Sequence, residues 1–129
     1  MTREEFIQIL EEKGYSYEIE GVKIVVNHKR FVDLRSLTSL PPDVVFNNGE
    51  GVNLRSLTYL PPDVVFNNRG GVGLNSLKTL PPDVVFKNGG GGVYLESLAG
   101  GWFENWSGNI EGVDSRILLN SMISKGIFI

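Results

Sequence analysis

Residues 51–70 read GVNLRSLTYLPPDVVFNNRG and residues 71–90 read GVGLNSLKTLPPDVVFKNGG, and the preceding residues 31–50 read FVDLRSLTSLPPDVVFNNGE. The three stretches align without a gap, and twelve of their 20 positions are identical in all three. A fourth copy begins at Gly92-Val93-Tyr94-Leu95-Glu96-Ser97-Leu98, shifted by one extra glycine. It breaks off at Ala99-Gly100-Gly101, where the Leu-Pro-Pro step is due. A period of this length is the mark of a solenoid, in which one unit cannot bury its own apolar face and neighbours must stack on it.

Each copy predicts one coil with two short extended segments. Val52 and Leu54 alternate with polar residues, the period of a half-buried strand, and Leu57 and Leu60 follow around a bend. Pro61 and Pro62 stop any helix and lack backbone donors, so the chain turns there. Val64-Val65-Phe66 is β-branched and aromatic and predicts the second strand, before Asn67, Asn68 and glycine turn the chain again. Val52, Leu54, Leu57, Leu60, Val64 and Phe66, with their counterparts, are expected to form apolar columns. Asn48, Asn68 and Asn88 predict an amide ladder at the corner, and Ser36, Ser56, Ser76 and Ser97 a second ladder. Asp43, Asp63 and Asp83 follow the proline pair and are expected to accept backbone hydrogen bonds there.

The Leu-x-x-Leu-Pro step, Leu57-Thr58-Tyr59-Leu60-Pro61 and Leu77-Lys78-Thr79-Leu80-Pro81, resembles the short 20-residue leucine-rich repeats of bacteria. The resemblance spans roughly residues 31–98. It differs in placing only two residues between Leu54 and Leu57 and in adding the Val-Val-Phe strand. The longer pattern V-x-L-x-S-L-x-x-L-P-P is similar to short-repeat proteins of bacteria and phages, a subgroup without an assigned activity. This implies a prokaryotic or viral source and a leucine-rich-repeat-like coil.

Both termini read as caps over the open ends of the stack. Thr2-Arg3-Glu4-Glu5 is a capping box, Phe6, Ile7, Ile9 and Leu10 give an apolar stripe, and Gly14 is a stop, predicting a helix over residues 3–13. Residues 15–20 and 22–26 alternate about Gly21 as a hairpin or as two extended segments leading into the first coil. At the other end a helix is expected to carry Ile117, Leu118, Leu119, Met122 and Ile123, with Trp102, Phe103 and Trp106 sealing the last coil or anchoring a partner. The expectation is a single domain over residues 1–129, mainly β with α caps: a cap in 1–30, a β-solenoid of three to four coils in 31–98, and an aromatic segment with a C-terminal helix in 99–129.

The net charge of −3 is unevenly placed. Residues 1–22 hold six acids against Arg3 and Lys13, whereas residues 23–87 hold eight Lys/Arg against five acids. The net charge excludes a strongly basic nucleic-acid binder of the ordinary kind, while the middle of the chain is mildly basic between two acidic ends. The absence of cysteine excludes disulfides and thiolate metal sites. No apolar run approaches a membrane span and the first residues lack a signal-peptide core, which predicts a cytoplasmic protein, in the bacterial host if phage-encoded.

No catalytic constellation is legible. His28 is the single histidine, no G-x-x-x-x-G-K stretch occurs, and the recurring Ser and Asp columns fit stacking better than a triad. A calcium β-roll requires a nine-residue period with aspartates in its glycine turns, and neither is present. The expectation is therefore no enzyme, no metal and no cofactor. Function is expected where the copies disagree on the outer face: Arg35, Arg55, Tyr59 and Tyr94, with Trp102, Phe103 and Trp106. The leading reading is a protein-binding module, a phage or bacterial factor that binds and inhibits a host defence protein. Self-assembly into a homo-oligomer is the alternative, and nucleic-acid binding through the basic middle the second alternative.

Overall fold

A computed structural model of the chain describes residues 1–81, 84–89, 92–97 and 109–110. They form a mainly β structure, a β-solenoid of about three turns preceded by one N-terminal helix. One sheet of six strands runs in the order β1 (Tyr17–Glu20), β2 (Lys23–Val26), β4 (Val44–Phe46), β6 (Val65–Phe66), β8 (Val85–Phe86), β10 (Asn109–Ile110). The other has four strands, β3 (Val32–Asp33), β5 (Val52–Asn53), β7 (Val72–Gly73), β9 (Val93–Tyr94). All pairings are parallel except β1 with β2. The chain crosses from one sheet to the other twice per coil, so each repeat adds one strand to each sheet.

The inward columns are those that the alternation predicts. Val52, Leu54, Leu57, Leu60, Val64 and Phe66 are buried together with their counterparts in the coils on either side. Each such side chain contributes about 1.5–3 kcal/mol through removal from water. Phe46, Phe66 and Phe86 stack face to face, with centroids 5.3 and 5.2 Å apart and ring planes within 8°. The ring spacing follows the strand spacing of about 4.8 Å, because the residues are in register.

Asn48, Asn68 and Asn88 are buried and hold the corner. Asn48 Nδ2 donates to the carbonyls of Arg30, Glu50 and Gly51 at 3.2, 2.8 and 3.0 Å. One coil on, Asn68 Nδ2 donates to Glu50, Gly70 and Gly71 at 3.2, 2.9 and 3.3 Å. Each amide thus ties a carbonyl of the coil before to the last of its own coil and the first of the next. The Oδ1 atoms of Asn48 and Asn68 accept no protein hydrogen bond, so these amides act as donors alone. Asp43 and Asp63 adopt the left-handed conformation, φ 61° and 60°. Asp tolerates this region better than bulkier residues, which gives the column after the proline pair a backbone role. Asp83 lies outside the described residues. No side-chain hydrogen bond joins Ser36, Ser56, Ser76 and Ser97 among the described residues.

The N-terminal cap follows the sequence closely. Helix α1 (Arg3–Lys13) has the complete Thr2/Glu5 capping box and ends at Gly14, φ 73°. Hydrogen bonding to Thr2, first through its backbone N–H, holds the Glu5 carboxyl below its usual range. Phe6 and Leu10 are the buried face of α1 and close the apolar columns. Hairpin β1–β2 turns at Gly21, and Tyr17 Oη donates to Glu11 Oε1 at 2.6 Å, tying hairpin to helix and raising the phenol pKa.

Strand β2 is more than a cap. Its pairing sets Ile24, Val25 and Val26 against Val44, Val45 and Phe46. Residues 23–30, KIVVNHKR, are therefore a degenerate second half of a coil, aligned with DVVFNNGE at 43–50. His28 stands where Asn48 and Asn68 stand in the coils below.

The fourth coil keeps its register despite the extra glycine. Val93 and Tyr94 pair with Val72 and Gly73, and Gly92, φ 73°, closes the corner. Where the repeat pattern breaks off, β10 still supplies the fourth coil's strand in the larger sheet, pairing Asn109 and Ile110 with Val85 and Phe86. The expected C-terminal helix over Ile117–Ile123 and the segment bearing Trp102, Phe103 and Trp106 lie outside the described residues. Among the described residues no helix is long and apolar enough to cross a membrane.

Candidate functional site

The outer face of the four-stranded sheet is where the copies differ. Register aligns Asp33, Asn53, Gly73 and Tyr94 in one outward row. Directly after each strand a tight turn closes, with Leu37, Leu57 and Leu77 N–H donating to the carbonyls of Leu34, Leu54 and Leu74 at 3.0, 3.0 and 3.1 Å. These turns carry Arg35, Arg55 and Asn75, and Glu96 follows in the fourth coil. The side chain two residues earlier braces the turn: Asp33 Oδ1 accepts from the Arg35 N–H at 3.2 Å, and Asn53 Oδ1 from the Arg55 N–H at 3.1 Å.

An open groove of about 500 Å³ runs across this face. Its floor includes Gly51, Gly71 and Gly73, its ends are Phe31 and Tyr94, and its polar rim is Asn53, Arg55, Asn75 and Glu96. Phe31 and Tyr94 are 44% and 42% exposed, unusual for rings of this size in a small domain. A Cβ built on Gly51 would meet the Phe31 ring at 3.4 Å, so that ring lies over the glycine floor. At Gly73 the backbone is not left-handed, and an added Cβ would make ordinary contacts with Asn75 Oδ1 at 3.5 Å, Asn53 Oδ1 at 3.7 Å and Asn53 Cα at 3.8 Å. Glycine is therefore not required there by conformation or crowding. Its effect is to leave a notch in a row that otherwise carries side chains.

The groove brings together Arg55 and Tyr94 of the candidates read from sequence. Arg35 is not part of its lining. Its guanidinium is held by the Asp33 carboxylate, Nη2 to Oδ2 at 2.5 Å and Nε to Oδ2 at 2.9 Å. That hydrogen-bonded pair lowers the Asp33 pKa and raises that of Arg35. Tyr59 is 51% exposed on the bend and is separate from the groove. Trp102, Phe103 and Trp106 lie outside the described residues.

Phe31 is the lining residue that repeat reading overlooked. The signal was present: Phe31 occupies the column filled by Gly51 and Gly71, a break in an otherwise glycine position. Apart from the phenol of Tyr94, the ionisable groups of the lining are Arg55 and Glu96. They offer charge complementarity at two places on a largely neutral surface. No cluster of three or more metal-ligating His, Asp or Glu side chains occurs among the described residues.

No protein-family model, curated protein or solved structure matches the chain.

Proposed function

We propose that the chain is a non-enzymatic protein-binding module, a leucine-rich-repeat-like solenoid that takes an extended segment of its partner along the outer face of the four-stranded sheet. The observation that carries this reading is the glycine notch at Gly73 between two exposed rings, on a frame whose other columns are committed to the core. From Phe31 to Tyr94 the groove crosses three strand spacings, about 14 Å, which accommodates roughly four extended residues. A bulky apolar side chain enters at Gly73, and Arg55 and Glu96 select opposite charges on either side of it.

The likeness of the repeat to short-repeat proteins of bacteria and phages supports the finer reading, a cytoplasmic factor that binds a host defence protein and blocks it. Self-pairing through the free edge of the larger sheet is disfavoured by β1 itself. Antiparallel pairing of two β1 strands sets Glu18 and Glu20 of one copy against those of the other.

Gly73→Val tests the reading. Val suits a strand and fills the notch, so the melting temperature is expected to hold while partner capture from host lysate is lost. Capture retained by a folded Gly73→Val protein overturns the proposed face.

A further inference from the structure

A second concavity lies at the corner of the N-terminal half-coil and shares no lining residue with the groove. Its volume is about 440 Å³ and it is lined by Ser16, Asn27, His28, Lys29 and Arg30. The loop that forms it is fixed by backbone bonds to its neighbours. Asn47 N–H donates to the Val26 carbonyl at 2.8 Å, Gly49 N–H to His28 at 3.0 Å, and Asn27 N–H to Ser16 at 3.2 Å. The two corners lie so close that a Cβ on Gly49 would fall 2.2 Å from the Lys29 carbonyl oxygen.

His28 is held as tightly. Its ring packs on Tyr15, with centroids 4.9 Å apart, and Nδ1 accepts the Ser16 N–H at 3.3 Å. With Nδ1 committed as acceptor, the proton of the neutral ring is on Nε2, which is a donor. The lining therefore offers a hydroxyl, a side-chain amide, an imidazole N–H, an ammonium and a guanidinium, and no carboxylate. Neither Lys29 nor Arg30 has an ion-pair partner among the described residues. The carbonyls of Val26, His28 and Arg30 join this loop to the next coil, and no hydrogen bond of the Lys29 or Arg30 side chain contributes to that joint among the described residues.

We propose that this corner binds a phosphate group. Donors of five kinds line one concavity, four on the loop of residues 27–30 and one on Ser16, whose N–H is bonded to the His28 ring. They outnumber the two oxygens of a carboxylate and suit an anion with more acceptor oxygens, the three terminal ones of a phosphate monoester or the four of free phosphate. The site is independent of the groove, so the two stand or fall separately.

The test is titration of the ¹⁵N-labelled full chain with inorganic phosphate, with glycerol phosphate, and with acetate and chloride at matched ionic strength. Saturable amide shifts at Ser16 and residues 27–30 are expected with both phosphates. Tighter binding of glycerol phosphate assigns the group to an organic ligand, and tighter binding of inorganic phosphate assigns it to the free ion; either supports the site. The exposed pair Lys29→Gln/Arg30→Gln is expected to leave the fold intact and weaken binding at least roughly tenfold. His28→Asn, which restores the residue of the lower coils, is expected to weaken it severalfold by removing the Nε2 donor. Shifts that fail to saturate, that acetate or chloride reproduces, or that survive in the folded double variant overturn the proposal.

Discussion

The hydroxyl of Tyr15 and the backbone of Asp33 bond in both directions: the Asp33 N–H donates to Tyr15 Oη at 3.0 Å, and Oη donates to the Asp33 carbonyl at 3.4 Å. The flanking N–H groups of Val32 and Leu34 point the other way, to Gly51 and Asn53 of the next coil. One phenol thus occupies the place of an absent neighbouring strand at the edge of the smaller sheet. Tyr15→Phe keeps the ring on His28 and removes only these two bonds. Urea unfolding is expected to show a loss of about 1–2 kcal/mol at unchanged m-value, and an unshifted midpoint would show that water serves the edge equally well.

Two adjacent asparagines should respond very differently to the same change. Asn68→Ala removes one of the two donors from each of three carbonyls in a buried corner and is expected to cost about 2 kcal/mol. Asn67 donates from an exposed position to Asn47 Oδ1 at 3.1 Å, and Asn67→Ala is expected to cost less than about 0.5 kcal/mol. Equal losses would deny the buried ladder its role.

Backbone conformation sets a third expectation. At Asp43, φ 61°, a β-branched residue is strained, so Asp43→Val is expected to destabilise by about 1–2 kcal/mol, whereas Asp43→Gly should stay within about 0.5 kcal/mol of the parent. Chemical denaturation of both variants decides it. If Gly were as costly as Val, the carboxylate and not the turn would be what the position needs.

The Asp33–Arg35 pair predicts a pH dependence with a defined sign. The folded carboxyl titrates below its unfolded value, so its stabilisation is present above the unfolded pKa, near 4, and fades as pH falls through the folded value. The Arg35 side chain is 56% exposed and that of Asp33 24%, so solvent screens the pair and the gain is expected to be under about 1 kcal/mol. The stability difference between the parent and Arg35→Ala should be measurable at pH 7 in low salt and shrink as pH falls below about 4. A difference that does not shrink on acidification would assign the effect of Arg35 to packing.

Much of this architecture can be read from residues alone because a repeat states each local preference several times. Val52 to Phe66 alternate, turn and alternate again in step with their neighbours, and every column they predict is buried. The capping box of Thr2 and Glu5 is equally local, and so is the helix it starts. What escaped had lost the repeated letters. Lys23 for Asp, Val26 for Phe and His28 for Asn hide a half-coil that only the pairing of β2 with β4 reveals. The left-handed turn at Asp43 escaped because Asp serves as acceptor and as turn former with the same letter. The groove was half legible: variation pointed to Arg55 and Tyr94, but the locking of Arg35 by Asp33 and the notch at Gly73 are relations between coils, which a column-by-column comparison does not weigh.

The extra glycine of the fourth coil carries a lesson for engineering. The Asn68 amide reaches the carbonyl of Gly71, three residues on, and that of Asn88 reaches Gly92, four residues on. Val52 and Val72 nevertheless donate to Gly71 and Gly92 at the same 3.0 Å. Coil length is thus settled at the corner, where the amide clamps whatever chain lies between it and the next strand. A designer wishing to graft a peptide, a tag or a second recognition loop onto this scaffold should open it after Asn88, where one insertion is already accommodated.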